Sequence, residues 1–166
     1  DDRAFGIVTD SLGNNIYICG YTDNDPTGFD FTVASYDSSG NSLWQRYYNG
    51  PGNDDDKAFG IVVDQAENIY VTGYSTGVNS GRDLTTRKFN SSGDTLWTSR
   101  YNDTTVNSDD KAFGIVVDSD GNSYVTGYTT TDTSGRTDYL TLRINPSGET
   151  VWKSTYNGIG NYQDTA

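Results

Sequence analysis

One ten-residue string recurs through this chain: Asp1–Asp10, Asp55–Asp64 and Asp109–Asp118. The last two copies both read Asp-Asp-Lys-Ala-Phe-Gly-Ile-Val-Val-Asp, and the first has Arg3 in place of Lys and Thr9 in place of Val. The copies start 54 residues apart. A period of that size marks one supersecondary unit used repeatedly, each copy needing its neighbours to bury its apolar face. The period divides the chain into units 1–54, 55–108 and 109–163, and residues 164–166 restart the string. This predicts an open arc, a piece of a longer array or a processed product, to be completed by further units or by copies of itself.

Each unit carries four β-signals in the same order. The first covers Ala4–Asp10, Ala58–Asp64 and Ala112–Asp118. It is apolar at consecutive positions, which predicts burial on both faces. Gly6, Gly60 and Gly114 lie inside it, where glycine weakens a strand unless another backbone comes close. A short Gly/Asn/Asp link leads to the second signal at Asn15–Tyr21, Asn68–Tyr74 and Asn122–Tyr128, so the two form a hairpin. A polar loop of different sequence follows in each unit: Thr22–Phe29, Ser75–Arg82 and Thr129–Thr137. The third strand runs over Phe31–Tyr36, Leu84–Phe89 and Tyr139–Ile144. It ends in an Asx-x-Ser-Gly turn (Asp37–Gly40, Asn90–Gly93, Asn145–Gly148) that suits a type I turn closed by a left-handed residue. The fourth carries Trp44, Trp97 or Trp152, with Tyr48, Tyr101 or Tyr156 four residues on. Strand residues four apart share a face.

No stretch shows a helical period, so the chain reads as all-β. Four-stranded antiparallel sheets of this size bury their aromatic faces by stacking around an axis, which is the arrangement of a β-propeller. The first strand is then the innermost. Trp44, Trp97, Trp152, Tyr48, Tyr101 and Tyr156 become the residues that pack one blade on the next. Three blades do not close a ring, since closed propellers have at least four. The combination Asp-Asp-Lys-Ala-Phe-Gly-Ile-Val-Val-Asp, Asn-Ile-Tyr-Val-Thr-Gly-Tyr, Asn-x-Ser-Gly-x-x-x-Trp and Tyr-Asn-Gly resembles the bacterial SBBP (beta-propeller) repeat, most closely over Asn49–Tyr74 and Asn145–Gly158. The segment Ser39–Gln45 is also similar to the tryptophan-docking hairpin of quinoprotein propellers. The first resemblance implies a secreted or cell-surface scaffold or binding module, without a defined activity.

The net charge of −12 disfavours nucleic acid as a partner, because a phosphate backbone needs clustered Lys and Arg. Asp dominates this acidity, and Asp serves turns by bonding nearby backbone. The pairs Asp55-Asp56 and Asp109-Asp110, with Asp1-Asp2, precede the innermost strand and would ring one mouth of the propeller. They are the candidate Ca²⁺ ligands, as hard cations take oxygen donors; the competing reading pairs them with their own backbone and with Arg3, Lys57 or Lys111. The stretch Asp118–Asn122 looks like a calcium loop, but its Gly121 falls at the wrong position for an EF-hand, and a hairpin turn explains it. Cys19 is the single cysteine, so no internal disulfide forms. No run of about 18 apolar residues predicts a transmembrane segment. The acids obey the repeat, whereas a catalytic pair should break it, so no enzyme is expected. Taken with the family resemblance, this implies an extracellular or cell-surface propeller segment with a structural or protein-interaction role, able to self-assemble. The alternative is a lectin-like module taking carbohydrate or Ca²⁺. Any recognition surface is expected on the variable loops.

Overall fold

The computed structural model describes residues 1–24, 26 and 28–158. The expected restart at 164–166, and the end of the third unit beyond Gly158, lie outside the described residues. Twelve strands form three four-stranded antiparallel sheets, with no helix among the described residues. Blade 1 holds β1 (Arg3–Thr9), β2 (Asn15–Asp23), β3 (Phe29–Asp37) and β4 (Ser42–Tyr48). Blade 2 holds β5 (Asp56–Val63), β6 (Ile69–Thr76), β7 (Arg82–Phe89) and β8 (Thr95–Tyr101). Blade 3 holds β9 (Asp110–Val117), β10 (Ser123–Thr130), β11 (Thr137–Ile144) and β12 (Thr150–Tyr156). Each sheet is an up-and-down meander in sequence order.

Turn chemistry sets the hairpins. Asp64 follows β5, and its carboxylate accepts the N–H groups of Ala66 and Asn68 and the hydroxyl of Tyr70. Asp118 does the same for Asp120, Asn122 and Tyr124. These bonds consume the oxygens that a calcium loop would offer. At the β3–β4 type of turn, Gly40, Gly93 and Gly148 take φ of 85°, 80° and 89°, and each donates its N–H to the Asx carbonyl three residues back.

The β2–β3 hairpin is longer than the sequence suggests. Thr22 and Asp23 pair with Asp30 and Phe29, and the later blades repeat this with Ser75–Thr76 and Thr129–Thr130. The variable loops therefore shrink to 24–28, 77–81 and 131–136. Polar Thr and Ser hide these pairs from an apolar pattern while fitting a strand well. Asp30, Asp83 and Asp138 thus lie within strands and are buried.

The cores lie between sheets. One cluster joins Tyr17, Cys19, Phe31 and Val33 of blade 1 to Ile69, Val71 and Phe89 of blade 2. The second joins Leu84 of blade 2 to Val125, Leu140, Leu142 and Ile144 of blade 3. Each inner strand is bulged at Phe5, Phe59 or Phe113, opposite Gly20, Gly73 or Gly127. A β-carbon on any of those glycines would lie within 2 Å of the facing Arg3, Lys57 or Lys111 carbonyl oxygen. The bulge turns the three Phe rings into a ladder, with centroids 5.1 and 5.4 Å apart.

Burial on both faces of the first strand needs correction. In the middle blade β5 is buried or half-buried throughout. In β1, however, Ile7 is 71% exposed, and in β9 Val116 is 62% exposed. The two faces of an inner strand are covered by the preceding and following blades, so the outer faces of blades 1 and 3 stay uncovered among the described residues.

Candidate functional site at the blade junctions and mouth

Three contacts build each junction, and they repeat from blades 1–2 to blades 2–3. The first is a Trp on the next blade's turn. Trp44 donates its indole N–H to the carbonyl of Ser91 at 3.0 Å, and Trp97 donates to Pro146 at the same distance. Its ring lies over the closing glycine: a β-carbon would sit 2.7 Å from the Trp44 ring at Gly93 and 2.9 Å from Trp97 at Gly148. The second contact is a Tyr reaching a basic side chain. Arg87 lies 4.4 Å from the centroid of the Tyr48 ring, Arg100 donates to the Tyr48 hydroxyl, and Lys153 donates to the Tyr101 hydroxyl at 3.0 Å. The third is an Ile in the notch left by a glycine. Cγ2 of Ile61 lies 2.8 Å from a β-carbon built on Gly6, and that of Ile115 lies 3.3 Å from one built on Gly60. The backbone oxygens of Phe59 and Phe113 approach those same two glycines.

The expected packing residues divide accordingly. Trp44, Trp97, Tyr48 and Tyr101 lie in junctions. Trp152 and Tyr156 are on the same face of blade 3 but are 40% and 59% exposed, with Trp152 touching Tyr124 of its own sheet. The basic partners Arg87, Arg100 and Lys153 carry no repeat signal, since their positions differ from blade to blade. Only the geometry shows them.

The acidic pairs serve two separate tasks. Asp55 and Asp109 reach back to the preceding blade. Asp55 accepts the N–H of Phe29 and pairs with Lys57 at 3.4 Å; Asp109 accepts the N–H of Arg82 and pairs with Lys111 at 3.1 Å. Burial pushes the Asp109 carboxyl up, but Lys111 and Arg82 outweigh it and hold the group below its ordinary range. Asp56 and Asp110 turn inward and are fully buried. Asp56 accepts the N–H groups of Gly50 and Thr76, tying the blade 1–2 connection to β6. Asp110 accepts the Asp103 N–H at 2.9 Å and the Thr129 hydroxyl. Burial raises both carboxyls, that of Asp110 to about 6. No group of three or more His, Cys, Asp or Glu able to hold a metal occurs among the described residues.

Beside Asp83, Arg100 completes a buried ion pair at 2.6 Å, with Ser80 as a further donor. In blade 1 the corresponding Asp30 has Asn24 instead. A cleft of about 440 Å³ opens between blades 2 and 3, lined by Asp64, Asn68, Lys88, Asp118, Asp120 and Pro146 among others. Its two turn-capping carboxylates, Asp64 and Asp118, are already engaged by their own turns. Cys19 is buried in the first junction, and burial pushes its thiol up to about 12. No helix among the described residues is long and apolar enough to cross a membrane.

Repeated meanders stacked through Trp-on-turn contacts define a propeller-blade module. A beta-propeller repeat (SBBP) family model matches residues 1–26, 43–80 and 96–132, and the chain belongs to that family. Among solved structures, the chain is similar to a protein of unknown function from Bacteroides caccae, with 12% identity and a TM-score of 0.47. The match covers 98% of this chain and 64% of that one, so this chain spans less than two thirds of its neighbour's length. No curated protein matches.

Proposed function

We propose that this chain is a non-catalytic propeller segment with a structural and protein-interaction role, acting outside the cell or on its surface. The observation that carries the reading is the use to which the repeated acids are put. Asp55, Asp56, Asp109 and Asp110 are taken up by backbone donors, Thr129, Lys57, Lys111 and Arg82. Groups held in this way serve the frame, not a substrate. The location rests on the family resemblance. The two uncovered end faces and the variable loops 24–28, 77–81 and 131–136 are the surfaces left for a partner.

Protease treatment of intact cells tests the location: loss of the chain without lysis is expected, and full protection overturns it. A glycan array and a panel of polysaccharide substrates test the role. Neither specific glycan binding nor hydrolysis is expected; binding would replace this reading with a lectin, and hydrolysis with an enzyme.

A further inference from the structure

The two uncovered faces are the two halves of the junction that the chain already makes twice. Blade 3 presents the donor half. Trp152 and Tyr156 occupy the places of Trp44/Tyr48 and Trp97/Tyr101, and Gly114 has the place of Gly6 and Gly60. Among the described residues, only Thr126 comes within 4 Å of a β-carbon built on Gly114. Blade 1 presents the acceptor half. The Asp37–Gly40 turn matches the turns that receive Trp44 and Trp97, and among the described residues nothing lies within 4 Å of a β-carbon built on Gly40. Ile7 holds the place of Ile61 and Ile115 but stands 71% exposed. A hollow of about 190 Å³, lined in part by Ile18, Ala34, Tyr36, Gln45 and Tyr47, opens where Arg87 and Arg100 receive Tyr48 in the next blade.

We propose that a second copy of this chain docks head to tail, with Trp152 of one copy on the Ser38–Gly40 turn of the other, and that two such contacts close a six-bladed ring. Ile7 then fills the notch at Gly114, Tyr156 enters the hollow on blade 1, and the Phe5–Phe59–Phe113 ladder continues from copy to copy. Six blades fall within the range of closed propellers, and three do not. A head-to-tail contact that closes gives a ring, whereas one that fails to close gives a filament. The matched positions Trp152, Tyr156 and Gly114 against Gly40, Ile7 and Ala34 carry no charge, and the hollow that takes Tyr156 is lined by one carboxylate and one guanidinium, Asp2 and Arg3, which offset each other. The charge of −12 on each copy thus acts mainly at long range, where physiological salt screens it within about 8 Å.

This inference deepens the interaction role proposed above and rests on it. Its test reads mass, so its failure leaves the intact-cell result standing. Sedimentation equilibrium on the purified chain at physiological salt, from micromolar to millimolar, should give twice the 18.2 kDa of one copy. Trp152→Ala should weaken association by about thirty-fold or more, as for a central aromatic anchor. So should Gly40→Asn, which keeps the backbone, because asparagine accepts positive φ as it does at Asn53, Asn79 and Asn107. Both positions are exposed in the single copy, so neither variant removes a core group; circular dichroism checks that both fold. A mixture of the two variants should restore a heterodimer through its one intact contact. A monomer at every concentration overturns the proposal and leaves further blades of the same repeat as the occupant. A dimer that both variants leave intact overturns it too, as does a ladder of species beyond the dimer.

Discussion

Replacing Trp97 by alanine tests the junction reasoning most directly, because the chain carries its own control in Trp152. Trp97 is half-buried, donates to Pro146, sets its edge against Tyr70 at 5.9 Å and covers Gly148. A tryptophan in such a place buries about 150 Å². At about 25 cal/mol per Å² that is worth about 4 kcal/mol, and the hydrogen bond adds about 1. The denatured chain already buries part of this area, which reduces the net loss to about 3 kcal/mol. For a chain of this length each kcal/mol moves the midpoint by about 2–4 °C, so Trp97→Ala should melt about 6–12 °C lower. Trp152→Ala removes a ring that covers no following blade among the described residues and should cost about 0.5 kcal/mol or less. The measurement is thermal and urea unfolding by circular dichroism at low micromolar concentration in the Gly40→Asn background, which disables the proposed contact between copies. Equal losses at the two positions, or a silent Trp97→Ala, would refute the assignment of Trp to the junction. Stacked repeats can also lose blades separately, so a broadened transition in Trp97→Ala would locate the damage at blade 3.

Three further outcomes follow from particular atoms. A β-carbon on Gly60 would meet the Phe113 carbonyl oxygen at 2.9 Å, so Gly60→Ala should cost about 1–3 kcal/mol by urea unfolding, against about 0.5 for Gly114→Ala, where among the described residues only the Thr126 methyl is near. Asp110 has a folded pKa of about 6, raised by burial from 3.8, so its contribution is fully present below pH 3.8 and is lost as pH rises through 6, at most about 3 kcal/mol. Asp64, Asp109 and Asp118 are lowered and act oppositely, losing their contribution as pH falls below 3.8. Stability should therefore peak near pH 4 and decline as pH rises through 6, and Asp110→Asn should flatten that decline from pH 4 to 7 in pH-dependent urea curves; an unchanged slope would contradict the assignment. Cys19, buried and with its thiol pushed up to about 12, should resist thiol reagents at pH 8 in the folded chain and react at once in 6 M guanidinium; rapid native labelling would count against this core.

The repeat period, the strand order and the Trp–Tyr face were legible in the sequence because each depends on residue spacing alone. Three copies at a fixed interval also distinguish a recurrent glycine from an accidental one: Gly6 and Gly60 recur because a neighbouring backbone and an Ile methyl approach them. What escaped depends on which blade stands beside which. Ile7 and Val116 belong to strands of nearly identical sequence to β5, yet they are exposed, since burial here is a property of the pair of sheets and not of the strand. Arg87, Arg100 and Lys153 escaped for a related reason. They answer the hydroxyl or ring of a Tyr in the preceding unit from positions that the other blades fill with Ala34, Tyr47 or Thr98.

The same reasoning explains why the repeated positions say so little about activity. A residue that returns in every blade is one that the junction or the turn requires: the Trp rings, the closing glycines, and the acids that cap loops and hold the next blade. A recognition surface must instead differ from blade to blade, because a partner meets the molecule at one place. The segments that differ most are 24–28, 77–81 and 131–136, all at the end of the blades where Asp55 and Asp109 tie one blade to the next. On the interaction role proposed above, partner specificity falls to these loops and assembly to the two end faces.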